Sequence, residues 1–224
     1  MASETYPGLE KTYAAFLFDM DGTILNSLVA AERVWGKWAE RHGLDVQAFL
    51  PTMHGKRGID TISALNLPGV DARAEAEQIS RDEIDDVEGV VQIEGSIEFL
   101  SSLPPERWAI VTSSPLLLAK RRLEAAGLPI PRFFVTAEDV EVGKPNPQCF
   151  ILGAERLGVS PSECLVFEDT EAGIKAGEAA GADVMVVTAT QHHAFETSHP
   201  TLQSYRGLKP SITEDGRLTI VTSR

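Results

Sequence analysis

Five short apolar runs, alternating with stretches of helical periodicity, restrict this chain to few folds. The runs are AAFLFD (14–19), WAIVTS (108–113), RFFVTA (132–137), CLVFED (164–169) and ADVMVVT (182–188). Their length and their aromatic and β-branched residues mark them as buried strands. Segments 114–128, 146–159 and 170–181 carry apolar residues at helical spacing and end in or near Gly127, Gly158 and Gly181, the stop signal of a helix. Strand, helix, strand, helix implies an α/β fold, a parallel sheet with helices on both faces. Such sheets bind ligands at the carboxyl ends of their strands, beside a topological switch point. The polar residues that end the strands are therefore the candidates for function.

Between the first run and the second lies a long region with few strand-like runs. Segments 26–43 and 71–86 read as amphipathic or charged helices, and VEGVVQIEG (87–95) as a returning linker. The expected division is a core of residues 1–24 and 90–224 with an inserted helical domain of residues 25–89. The tail SITEDGRLTIV (211–221) reads as a hairpin turning at Asp215-Gly216. A chain of 224 residues with 43% hydrophobic content can bury a real core.

Its 33 acidic residues outnumber 20 basic ones, for a net charge of −13, which argues against a nucleic-acid or anionic-membrane surface. An anionic ligand would need a locally basic pocket. Cys149 and Cys164 match neither a disulfide framework nor a zinc pattern and are read as core residues in a reducing compartment. No basic segment leading into an apolar stretch opens the chain, and nowhere do eighteen apolar residues run together. A cytoplasmic protein, acting as a monomer or weak dimer, is the expectation.

Asp19 and Asp21 stand one residue apart where the first run ends. Such carboxylates repel, and burial raises at least one pKa unless a cation neutralises them. An EF-hand calcium loop would need Gly and Glu where Ile24 and Ala30 stand, and is rejected. A surface Asp-Gly turn is the simpler alternative. Other strand ends offer Thr112 and Ser113, then Glu168 and Asp169, and VGKPNP (142–147) supplies Lys144. Each has a local explanation: Thr112 as a helix cap, Lys144 as a solvated side chain, Glu168-Asp169 as a helix start. Together they fall along one edge of one sheet, which turn chemistry alone does not require. As a site, Asp19, Asp169 and the Asp21 main chain form an oxygen-rich half-shell suited to Mg²⁺. Thr112, the Ser113 main-chain N–H and Lys144 are then placed to hold phosphate oxygens. Pro145 biases Lys144 towards an extended conformation, and Asn146-Pro147 has the form of a helix start.

FDMDGT (18–23), VTSS (111–114), GKPNP (143–147) and VFEDTEAGIKAG (166–177), in that order, resemble the phosphatases of the haloacid dehalogenase superfamily. The resemblance spans nearly the whole chain and implies a Rossmann-like core with an α-helical cap inserted after the first motif. It implies Asp19 as nucleophile, Asp21 as acid/base, Thr112, Ser113 and Lys144 as phosphate ligands, and Asp169 as a Mg²⁺ ligand beside Asp19 and Asp21, with Glu168 supporting them. The members that look most alike act on glycerol phosphate, 2-deoxyglucose 6-phosphate and other sugar or hexitol phosphates. Their common EDAPAG is EDTEAG here, with Asp169 intact. MHGKRGIDTI (53–62) resembles a substrate-facing stretch of their caps, making His54, Lys56 and Arg57 candidate contacts; a solvated helix start is the alternative. His192, His193 and His199 follow the last core strand without a matching ligand pair and are read as exposed loop histidines.

The function expected is Mg²⁺-dependent hydrolysis of a small phosphate ester through an aspartyl-phosphate. A dehalogenase of the superfamily would lack Asp21. A sugar phosphomutase would carry histidine twelve residues past the nucleophile, where Ala31 stands. A non-catalytic phosphate-ester-binding regulator could dispense with the nucleophile, whereas every core group is present.

Overall fold

A computed structural model of the chain describes residues 4–9, 11–191 and 196–222. In chain order come β1 (Glu4–Thr5), β2 (Ala15–Phe18) and β3 (Leu25–Asn26), then α1 (Leu28–Arg41), α2 (Val46–Phe49), α3 (Gly58–Ala64) and α4 (Ala72–Asp85). The chain returns through β4 (Val91–Gln92) and α5 (Ser96–Ser101) to β5 (Trp108–Val111), α6 (Leu116–Ala126), β6 (Phe133–Val135) and α7 (Gln148–Leu157). It ends with β7 (Cys164–Glu168), α8 (Glu171–Ala179), β8 (Asp183–Val187), β9 (Thr201–Leu202), β10 (Leu208–Ile212) and β11 (Leu218–Thr222).

Six strands form a parallel sheet in the order β6-β5-β2-β7-β8-β9. The five expected strands are all in it; β9 is the addition, too short to carry a periodic signal. Residues of β2 alternate between two cores, as a period of two dictates. Phe16 and Phe18 enter a cluster with Phe99 of α5, Leu123 of α6, Phe167 and Tyr205. Ala15 and Leu17 enter the opposite cluster with Phe150 of α7 and Ile174 of α8. The sheet is thus covered on both faces, and the Phe18 and Phe167 rings stack at 4.4 Å. From β2 the chain moves outward through β5 and β6, then crosses back to β7 on the other side. The topological switch falls at β2, whose carboxyl end carries Asp19.

α1 to α4 gather around a third cluster of their own, with Trp35, Trp38, Phe49, Ile62 and Ile79 buried in it. Asp45 and Asp71 cap α2 and α4 by accepting from main-chain N–H groups. The entry and exit of this helical unit pair with each other, Leu25 against Gln92 and Asn26 against Val91, so the linker over 87–95 includes a strand. β10 and β11 form the hairpin around Asp215-Gly216, and β1 joins it in a separate antiparallel sheet. Cys149 and Cys164 are free and buried. No helix of the described residues is long and apolar enough to cross a membrane.

Candidate active site

Parallel register brings the strand ends together. Phe18 lies level with Ile110 of β5 and Phe167 of β7, so Asp19 emerges level with Val111, just before Thr112, on one side and with Glu168 on the other. Lys144 reaches in from the loop before α7, where Asn146 Oδ1 accepts from Gln148 N at 3.0 Å and the Lys144-Pro145 bond is cis. Its Nζ lies 2.6 Å from Asp19 Oδ1, 2.7 Å from Glu168 Oε1 and 3.2 Å from the Val111 carbonyl. Both oxygens of fully buried Glu168 are engaged, since Oε2 accepts from Asp169 N, Thr170 N and Thr170 Oγ1. Asp169 accepts from Thr23 Oγ1 through Oδ1 at 3.1 Å.

A cleft of about 1470 Å³ opens above these groups, lined by Asp19, Asp21, Thr112, Ser113 and Asp169 among others. Lys144 and Glu168 lie behind that lining. Asp19, Glu168 and Asp169 offer oxygens that all lie within 4.8 Å of one another. Here burial dominates the electrostatics: it pushes the Asp19 carboxyl up to about 8, against the pull of Lys144 and with help from Glu168 and Asp21. Asp169 is raised well above its ordinary value by burial first, then by Glu168 and Asp19. Burial would lower the Lys144 ammonium, but Asp19 and Glu168 outweigh it and hold its pKa above the ordinary value. Negative charge thus exceeds positive in this cluster, so protons or a cation must offset it.

The donor set fits a hard divalent cation. Carboxylate oxygens are what Mg²⁺ takes, and Gly22 leaves room for them. Its φ is +86°, and an added Cβ would lie 2.0 Å from Asp169 Oδ2. Glycine is thus required both by the backbone and by the close approach of Asp169.

The helical unit is docked over this edge at three places. Ser113 Oγ donates to the Gly55 carbonyl at 3.0 Å. Arg57 donates to the Val140 and Glu141 carbonyls and to both oxygens of Asp60, next to Gly143. Glu83 of α4 pairs with Arg122 of α6 at 2.7 Å. His54 faces the cleft with Nε2 3.4 Å from Glu32 Oε1, and burial lowers its pKa against the opposing pull of Glu32 and Asp21. Lys56 also lines the cleft, and its Nζ donates to the Thr52 carbonyl.

Arg57, nominated as a substrate contact, lines the cleft, and its guanidinium donates to Asp60 within the helical unit and to two carbonyls of the core. His199 is half-buried and its Nε2 lies 2.8 Å from Glu178 Oε1, which corrects its reading as an exposed loop residue. His192 and His193 lie outside the described residues. Sequence reasoning missed Ser27, Glu32, Glu83, Ser114 and Arg122. Periodicity held a signal for one of them: Arg122 shares its helix face with Leu118, Ala119, Leu123 and Ala126, all buried.

Residues 13–181 match the family model described as haloacid dehalogenase-like hydrolase. Hexitol phosphatase A of Escherichia coli (strain K12) is 44% identical over 178 residues, covering 78% of this chain and 82% of that protein. Glycerol-1-phosphate phosphohydrolase 2 of Saccharomyces cerevisiae is 33% identical over 205 residues, covering 85% and 80%. Among solved structures, a hydrolase from Pseudomonas syringae superposes with a TM-score of 0.69 at 25% identity, over 82% of this chain and 87% of that one. With the parallel sheet, its switch point and the carboxylates gathered there, these matches show that the chain belongs to the haloacid dehalogenase-like hydrolase family.

Proposed function

We propose that the protein is a Mg²⁺-dependent phosphatase of small sugar, polyol or glycerol phosphates, working through an aspartyl-phosphate. The observation that carries this reading is the meeting of Asp19, Lys144 and Asp169 at the switch point. The relatives named hexitol phosphatase A and glycerol-1-phosphate phosphohydrolase 2 support the substrate class. Mg²⁺ held by Asp19, Asp169 and the Asp21 main-chain carbonyl would neutralise the carboxylates and the incoming phosphate.

In the proposed mechanism, Lys144 holds Asp19 by Oδ1, leaving Oδ2 to attack phosphorus, and its charge lies beneath the phosphate. Thr112 and the Ser113 N–H flank the other phosphate oxygens. As the bond from phosphorus to the ester oxygen breaks, Asp21 gives that oxygen a proton. The ionised Asp21 then takes a proton from water, which attacks phosphorus and releases phosphate and free Asp19. The helical unit, read as a cap of residues 25–89, screens the reaction from bulk water. Ala31 in the cleft wall, in place of a mutase histidine, favours hydrolysis.

Discrimination among leaving groups falls to the helical unit, where His54, Lys56 and Glu32 face the cleft. A site that pairs hydroxyls rejects an ester lacking them far more strongly than an apolar pocket rejects a missing methylene. Hexitol, sugar or glycerol phosphates should therefore exceed an alkyl phosphate of similar size by about 100-fold or more in kcat/KM, and EDTA should remove the activity. Equal turnover of the alkyl ester would overturn the polyol assignment. Arg57→Ala should slow all esters alike, by about tenfold or more, because it loosens the docking that positions the site. A change in the ratio between esters would instead return Arg57 to the substrate contacts. A cytoplasmic setting is supported by the free thiols of Cys149 and Cys164. A monomer or weak dimer suits a cleft covered by the chain's own helices.

A further inference from the structure

Arg122 and Glu83 take no part in the chemistry above, yet they are only 5% and 6% exposed. A buried guanidinium is costly unless its donors are paired, and Arg122 serves two carboxylates. Its Nη2 lies 2.7 Å from Glu83 Oε1, and its Nη1 lies 2.9 Å from Asp21 Oδ1 and 3.3 Å from Ser114 Oγ. Asp21 Oδ1 also accepts from Ser27 Oγ at 2.6 Å, and Oδ2 from Ser114 Oγ at 3.1 Å. Asp21 is thus held on both oxygens, and the contacts run from α4 of the helical unit through α6 to the carboxylate.

We infer that Arg122 is a positioning residue: by holding Oδ1 of Asp21 it aims Oδ2, the oxygen that carries the acid proton, at the departing ester oxygen, with Glu83 fixing the guanidinium. The inference rests on the acid role proposed for Asp21. An ion pair that only stapled α4 to α6 would be complete with Glu83 alone. The second arm of the fork instead reaches the side chain that must be aimed. A guanidinium is planar, so with Nη2 fixed on Glu83 the place of Nη1 is set. Asp21 is then located by the docked helix as well as by the loop that follows β2. An ammonium offers no such fixed angle between two partners.

Positioning differs from stapling in its dependence on the leaving group. A sugar alkoxide must be protonated as it departs, whereas a nitrophenolate leaves without help. Arg122→Met alone strands Glu83 without its cation and can unfold the protein. The informative variant is therefore Arg122→Met/Glu83→Gln, which removes both charges, compared with Arg122→Lys and Asp21→Asn. Rapid quench should follow the first, alcohol-releasing step at saturating Mg²⁺, which separates it from the water-dependent step that both esters share. The double variant should lose about 100-fold on a hexitol phosphate and less than about threefold on p-nitrophenyl phosphate. Arg122→Lys should fall between parent and double variant on the hexitol ester. Equal losses on both esters, or no loss on either, overturn the positioning role. Selectivity in Asp21→Asn but none in the double variant removes Arg122 alone. An unselective Asp21→Asn overturns the acid assignment and this inference with it.

Discussion

Asp19→Asn should lower phosphate release by roughly 10⁴-fold or more, the scale seen when a covalent nucleophile is removed, without lowering the melting temperature of the metal-free protein. An amide has the shape of the carboxylate but cannot form the acyl phosphate. Its structural cost is small because Lys144 keeps Glu168 and the Val111 carbonyl as partners. Removing the charge also relieves repulsion from Glu168 and Asp21. The pH dependence has a definite sign. The Asp19 carboxyl is pushed from 3.8 up to about 8, chiefly by burial. Its contribution to stability is therefore full below the unfolded value and is lost as pH rises through the folded one. In EDTA the parent should thus lose melting temperature between about pH 4 and about pH 8 more steeply than Asp19→Asn. Turnover within tenfold of the parent would remove Asp19 from the nucleophile's place, and parallel melting profiles would show that its ionisation is not strained.

The sheet could be read from the sequence because each core strand is an apolar run whose signal is local. Asp19, Thr112 and Asp169 could be read because they close those strands, and parallel register brings carboxyl ends to one edge. β1, β3, β4 and β9 were not legible: two residues each cannot show a period, and their pairing is decided by what lies across the sheet. Arg122 was obscured by Arg121. Two adjacent arginines read as a solvated face, and packing separates them, for Arg121 pairs with Glu124 at the surface while Arg122 turns inward. Glu83 looked like one more charge in a charged helix, although Ile79, one turn earlier, is buried beside it. The docking bonds of Arg57 were hidden for another reason. Its residue type suited a substrate contact, but main-chain carbonyls of the loop at Val140 and Glu141 give no side-chain signal that a sequence can show.

Adjacent Glu168 and Asp169 should respond in opposite ways to loss of charge. Glu168 is closed to a cation: Lys144 takes Oε1 and three donors take Oε2. A Cβ on Gly173 would sit 1.7 Å from its carboxylate, so the group has no room to swing. Asp169 borders the cleft, accepts from Thr23 through Oδ1, and turns Oδ2 towards Gly22. Asp169→Asn should therefore raise the half-saturating Mg²⁺ concentration by more than about 100-fold, beyond the roughly 10–100-fold loss typical of groups that only orient a ligand. Glu168→Gln should leave that concentration within about threefold but destabilise the protein by about 2 kcal/mol, because one amide oxygen cannot serve both Lys144 and the three donors on Oε2, whereas Asp19→Asn puts only the single Lys144 contact at stake. Thermal melts with and without Mg²⁺ separate the two. At 100 times its dissociation constant the ion stabilises the parent by about 2.7 kcal/mol, and at the same concentration Asp169→Asn should lose most of this gain while Glu168→Gln keeps it from a lower baseline. If Glu168→Gln lost the Mg²⁺-dependent gain instead, the ligand would be Glu168, and Lys144 would have to leave its oxygen when the ion binds.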